Sequence, residues 1–73
     1  MSNIVEYAVT EYTIYSPFEI QEGMLEGQEV GQYISVDTDL LPDELKGDDA
    51  LVCDALYRWF NTFGVCRKPV WVV

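Results

Sequence analysis

The side chains with the most chemical capacity in this sequence are its thirteen carboxylates. Glu19, Glu22, Glu26 and Glu29 lie within SPFEIQEGMLEGQEVG, residues 16–31, at a 3-4-3 spacing that would stack them along one side of a helix. Asp37, Asp39, Asp43 and Glu44 form a second group. Paired carboxylates perform acid–base catalysis when an apolar pocket raises the pKa of one of them. Clustered oxygen ligands can hold Mg²⁺ or Ca²⁺. Neither use fits this pattern. The acids lie in polar stretches with no sign of a cleft, and Leu41 stands where the calcium-loop pattern needs a ligand. No catalytic residue, metal or cofactor is expected.

Other reactive types are scarce. Histidine is absent, which removes Ser-His and Cys-His nucleophile pairs and every mixed Cys/His zinc site. Cys53 and Cys66 lack the close spacing of a redox or zinc pair, and two free thiols are expected. Gly23, Gly27 and Gly31 recur every fourth residue, but no Lys-Ser/Thr follows and the neighbouring charge has the wrong sign for phosphate.

What remains is the charge itself. The formal net charge is −9, and its distribution is uneven. Residues 1–45 carry ten acids and no base, whereas residues 46–73 carry Lys46, Arg58, Arg67 and Lys68 against Asp48, Asp49 and Asp54. Such a field repels phosphates and anionic lipid and steers the chain toward basic partners. Direct binding to nucleic acid or membrane is disfavoured. Proteins that grip DNA bring arrays of lysine and arginine, and a small body bearing carboxylates can occupy such an array in place of DNA. In composition the chain resembles a type, the small acidic inhibitors often encoded by phages and other mobile elements. Proteins of that type mimic nucleic acid to block restriction, repair or CRISPR proteins. The resemblance implies a non-catalytic inhibitor or modulator, with Glu19, Glu22, Glu26, Glu29, Asp37, Asp39, Asp43 and Glu44 contacting the basic groove of a nucleic-acid-handling protein.

A second reading is a structural or adaptor subunit that forms a homodimer or docks through an apolar patch around Tyr57, Trp59, Trp71 and Val73. Its basis is that a chain ending Val70, Trp71, Val72, Val73 should bury those side chains against something. The domain's own sheet is the plainer destination.

These residues must be held by elements that the sequence also indicates. With 73 residues the chain is expected to be one α+β domain: a small sheet of three or four strands packed on one main helix at about 48–63. In 3–15, Val5, Tyr7 and Val9 alternate and then Tyr12 and Ile14 do so in the opposite phase. This predicts a strand with a bulge or bend near Thr10 and Glu11. Residues 16–30 admit two readings. Ser16, Pro17 and Glu19 make a good helix start, while Gly23 and Gly27 favour a hairpin that leaves Phe18–Gln21 and Glu29–Val36 extended.

QYISVD, residues 32–37, alternates like a half-buried strand. In 48–64, Asp48 and Asp49 suit a helix N-terminus, and Val52, Leu56, Trp59 and Phe63, widened by Cys53 and Phe60, form a stripe that Gly64 ends. The last residues read as a strand with Pro69 at its edge. No apolar run is long enough to span a bilayer and the opening residues lack a signal core, so a cytoplasmic location is expected.

Overall fold

The computed structural model describes residues 3–64 and 66–73. β1 (Ile4–Thr10) is the central strand, flanked by β2 (Ile14–Tyr15) and β3 (Val30–Asp37), with every pairing antiparallel. α1 (Pro17–Gln21) lies between β2 and β3 in the chain. Two 3-10 turns, Thr38–Leu40 and Asp43–Leu45, lead into α2 (Asp49–Phe63). This is the expected α+β arrangement of a small antiparallel sheet and a C-terminal helix. Among the described residues no helix is long and apolar enough to cross a membrane.

The change of phase in residues 3–15 is resolved by a bend that splits the run. The chain turns over Thr10–Thr13, where the Thr10 N–H donates to the Thr13 carbonyl at 2.9 Å and the Thr10 hydroxyl donates to the same oxygen at 2.8 Å. The turn sets Val9 opposite Ile14, so both phases of the sequence deliver side chains to one face. Pairing of β1 with β3 shifts register between Val9 and Thr10, but the extra residue is Gly31, so the bulge lies on β3 and not within residues 3–15. A Cβ at Gly31 would stand 3.4 Å from the Val9 carbonyl oxygen, so a small residue suits that close approach.

One sheet face carries the core. Tyr7, Ile14, Ile34 and Val36 meet Val52 and Leu56 of α2, with Leu41, Trp71 and Val72 closing the cluster. Each such side chain, fully buried, contributes about 1.5–3 kcal/mol relative to exposure. Helix α2 starts as its sequence demands: the Asp48 carboxylate accepts from the Ala50 N–H at 3.0 Å. It ends at Gly64, whose φ is +81° and whose N–H donates to the Phe60 carbonyl. Its stripe is narrower than the spacing implies. Val52 and Leu56 are buried, Cys53 and Phe60 half-buried, and Phe63 is exposed and lies against Trp59 at 4.5 Å between ring centroids. Arg67 sits over the Phe63 ring, and the Trp59 indole N–H donates to the Arg67 carbonyl.

Residues 16–30 follow neither reading throughout. The helix start is as expected: Ser16 and Glu19 form a reciprocal capping box with Pro17 at the first position. The helix then stops at Gln21. Gly23 and Gly27 adopt φ of +82° and +78°, and the chain passes through successive turns into β3, so the second arm of the hairpin reading is extended from Val30 while its first arm, Phe18–Gln21, is helical. The C-terminal strand is likewise reduced to a single bridge between Val36 and Val72. Pro69 has no N–H to offer a ladder, and its carbonyl accepts from the Val72 N–H in a tight turn. Val65, part of the expected strand, lies outside the described residues.

Candidate functional site

The carboxylates are placed by elements of differing rigidity. Glu19 belongs to α1 and works within the fold: its Oε1 accepts from the Ser16 N–H at 3.0 Å, while its own N–H donates to Ser16 Oγ at 3.2 Å. It is half-buried. Glu22 caps the C-terminus of α1, Glu26 lies in the turns between the two positive-φ glycines, and Glu29 immediately precedes β3. These three are exposed. Since α1 is five residues long, the 3-4-3 spacing does not produce a helical ridge.

Asp37 is also structural. It is buried, its Oδ1 accepts from the Asp39 N–H at 3.0 Å, and its main-chain N–H donates to the Trp71 carbonyl at 2.9 Å. Asp39, Asp43 and Glu44 are exposed, and Asp43 stands 3.7 Å from Lys46. Glu29 and Asp37 therefore lie at opposite ends of β3, whereas Glu19 belongs to α1, whose Pro17 and Ile20 share a groove with Ile4 and Glu6 of β1. With seven steps between Val30 and Asp37, the two strand ends are separated by about 23 Å.

The first end holds a feature that spacing alone does not reveal. A groove of about 670 Å³ runs between the β1–β2 turn and the entry to β3, lined by Glu11, Tyr12, Gln28, Glu29, Gly31 and Gln32 among others. Tyr12 is 81% exposed. Glu11 meets Glu29 here only because the turn and the incoming strand share one end of the sheet. The available signals were the acidic bias of the first 45 residues and the phase change at Thr10.

The remaining titratable groups of interest are internal. Burial pushes the Tyr7 phenol well above its ordinary range, and the neighbouring Asp49 carboxylate pushes it further. Burial raises the Cys53 thiol to about 12, with Glu19 and Asp49 adding to the effect. Cys53 is therefore a thiol, not a nucleophilic thiolate, at neutral pH. Cys53 and Cys66 are both free. Among the described residues no three Cys, Asp or Glu side chains converge as a metal site would require.

The aromatic positions separate clearly. Tyr7 is core, Tyr15 half-buried, and Tyr12 and Tyr33 exposed. Of the apolar C-terminal patch, Trp71 is a core side chain at 7% exposure, Trp59 is half-buried, and Tyr57 and Val73 are 51% and 58% exposed. The arrangement exposes carboxylates and aromatic rings on one small body. Comparison of the chain with protein-family models, curated proteins and solved structures finds no match.

Proposed function

We propose that this chain is a non-catalytic binding protein, an inhibitor or modulator of the viral or mobile-element type, acting in the cytoplasm. Its acidic surface occupies the basic groove of a nucleic-acid-handling protein. The observation that supports this reading most is the exposure of eleven of the thirteen carboxylates, of which only Asp43 and Asp54 have an ion-pair partner among the described residues. Like charges held on one small body raise its energy unless a cationic surface neutralises them. Glu29 at one end of β3 and Asp39 just beyond the other, about 23 Å or more apart, can engage two separate stretches of a groove built for a phosphate backbone. Exposed Tyr12 and Tyr33 add rings of the kind that anchor interfaces.

The test is capture of a basic protein from a host lysate, eluted along a salt gradient and challenged with duplex DNA. Raising salt from 50 to 200 mM weakens the association on the order of tenfold or more, and DNA competes for it. Changing Glu22 and Glu26 together to Lys abolishes capture while leaving the fold intact. Capture that ignores salt, DNA and this double change refutes the reading.

The second reading, a self-associating adaptor subunit, is supported by the exposure of the apolar side chains Tyr57 and Val73. It requires a salt-tolerant dimer in light scattering that Tyr57→Lys dissociates.

A further inference from the structure

Helix α2 carries a second apolar row beside the one that builds the core. Val52 and Leu56 are buried, whereas Leu51, Ala55, Trp59 and Phe63 recur at every fourth residue along the neighbouring ridge. With Leu45 they line a groove of about 440 Å³. Leu51 and Phe63 are 45% and 46% exposed. Ala55, in the middle of the row, has no side chain beyond its Cβ to keep another helix at a distance. Charge of both signs borders the groove: Glu44, Asp54 and Arg58 line it, the last two paired at 3.1 Å. The helix also begins at Asp48 and Asp49, while Arg67 lies over the Phe63 ring at its far end and Lys68 follows in sequence.

We propose that this groove seats α2 of a second copy of the chain, the two helices crossing antiparallel about a two-fold axis beside Ala55. The proposal does not use the acidic surface, and it assigns self-association to a face other than that of Tyr57 and Val73. Charge selects the occupant. A two-fold axis perpendicular to both helices brings like flanks together with their directions reversed. Asp54 of each copy then faces Arg58 of the other, Leu51 packs against the second copy's Trp59, and the acidic start of each helix lies beside the basic end of the other. A parallel copy would set Asp54 against Asp54 and Arg58 against Arg58. A uniformly basic partner would meet Arg58 with the wrong sign, and a uniformly acidic one would do so at Glu44 and Asp54. Most of the net charge of −9 stays outside the contact, since ten of the thirteen acids precede residue 46 and only Glu44 among them lines the groove.

Sedimentation equilibrium of the whole chain over a concentration series is the test. The parent chain is expected to form a reversible dimer. Leu51→Lys, at an exposed position that leaves Val52 and Leu56 in place, weakens the dimer by roughly tenfold or more without changing the circular dichroism of the monomer. Tyr57→Lys, on the other side of the buried row and away from the groove, leaves it unchanged. Asp54→Arg and Arg58→Asp chains each self-associate more weakly, because like charges then face each other across the axis, and an equimolar mixture of the two recovers the dimer. A merely destabilised helix would not recover on mixing. A monomer at every concentration overturns the proposal and leaves the acidic-surface reading standing. A dimer that Tyr57→Lys dissociates and Leu51→Lys does not overturns it in favour of the face around Tyr57 and Val73. Charge variants that dimerise like the parent, or that lose the dimer and do not recover it when mixed, overturn the antiparallel second copy as the occupant.

Discussion

The Tyr7 hydroxyl donates to Asp49 Oδ1 at 3.2 Å, joining the middle of β1 to the first turn of α2 across 42 positions of chain. Tyr7 is buried, so its hydroxyl needs a partner. Asp49 lies at the positive end of the α2 dipole, where a carboxylate is favoured. One bond thus settles two local requirements and sets the helix against the sheet.

Tyr7→Phe removes this tie while keeping the ring in the core. Asp49 remains exposed to water after the change, so no charge is stranded. The expected loss is about 1 kcal/mol, in the usual range for a net hydrogen bond. A urea titration followed by tryptophan fluorescence measures it. An unchanged midpoint shows that the bond contributes nothing.

Stability also depends on alkaline pH through the same region. Tyr7 and Cys53 both have folded-state pKa values above their ordinary values of 10.0 and 9.0, with Cys53 at about 12. Between those limits the unfolded chain has released protons that the folded chain retains, so unfolding is favoured as pH rises. The contribution is intact below about pH 8 and falls above about pH 9. Each group costs at most about 1.4 kcal/mol per pH unit where only the unfolded form titrates. Midpoints of thermal unfolding between pH 7 and 11 follow this decline, and Tyr7→Phe with Cys53→Ala flattens it. A decline of equal steepness in the double variant assigns the effect to other groups.

Helix α2 was legible because its determinants are local. Asp48 caps it, Val52 and Leu56 recur one turn apart, and Gly64 ends it. The start of α1 was legible for the same reason. Its end was not, since the capping box at Ser16 and the glycines at 23 and 27 give opposing signals that composition alone does not rank. The candidate site was less legible still. Asp37 resembles its acidic neighbours in sequence, but its burial follows from the Trp71 carbonyl meeting its N–H, a contact between residues 34 positions apart. Glu11 and Glu29 share a groove through sheet topology, which periodicity does not encode.

Removal of Trp71–Val73 is expected to impair folding, whatever the oligomeric state. Trp71 and Val72 complete the cluster around Val36 and Leu56, and the Val73 N–H bonds to Ser35. Trp71→Ala alone should cost about 3–5 kcal/mol, the range for emptying a large aromatic site. For a domain of this size that is a large share of total stability. Circular dichroism and fluorescence should show a largely unfolded or much less stable chain. A truncated chain that keeps its full thermal midpoint argues that the C-terminal segment is dispensable to the core.

The carboxylates divide into those that hold the fold and those that only face water, and charge reversal separates them. Glu19→Lys deletes half of the Ser16 capping box, and Asp37→Lys puts a cation at a buried cap whose Oδ1 accepts from Asp39. Losing a cap costs about 0.5–2 kcal/mol, and at Asp37 the buried charge adds to that. Glu22→Lys, Glu26→Lys and Asp39→Lys alter exposed positions whose side chains make no hydrogen bond or ion pair among those described. Each should lie within about 0.5 kcal/mol of the parent chain, or improve on it by relieving repulsion. Denaturant midpoints of the five single variants test the division. If Glu22→Lys and Glu26→Lys destabilise as much as Glu19→Lys and Asp37→Lys, the exposed glutamates also serve the fold, and their loss could not be read as loss of a binding surface alone.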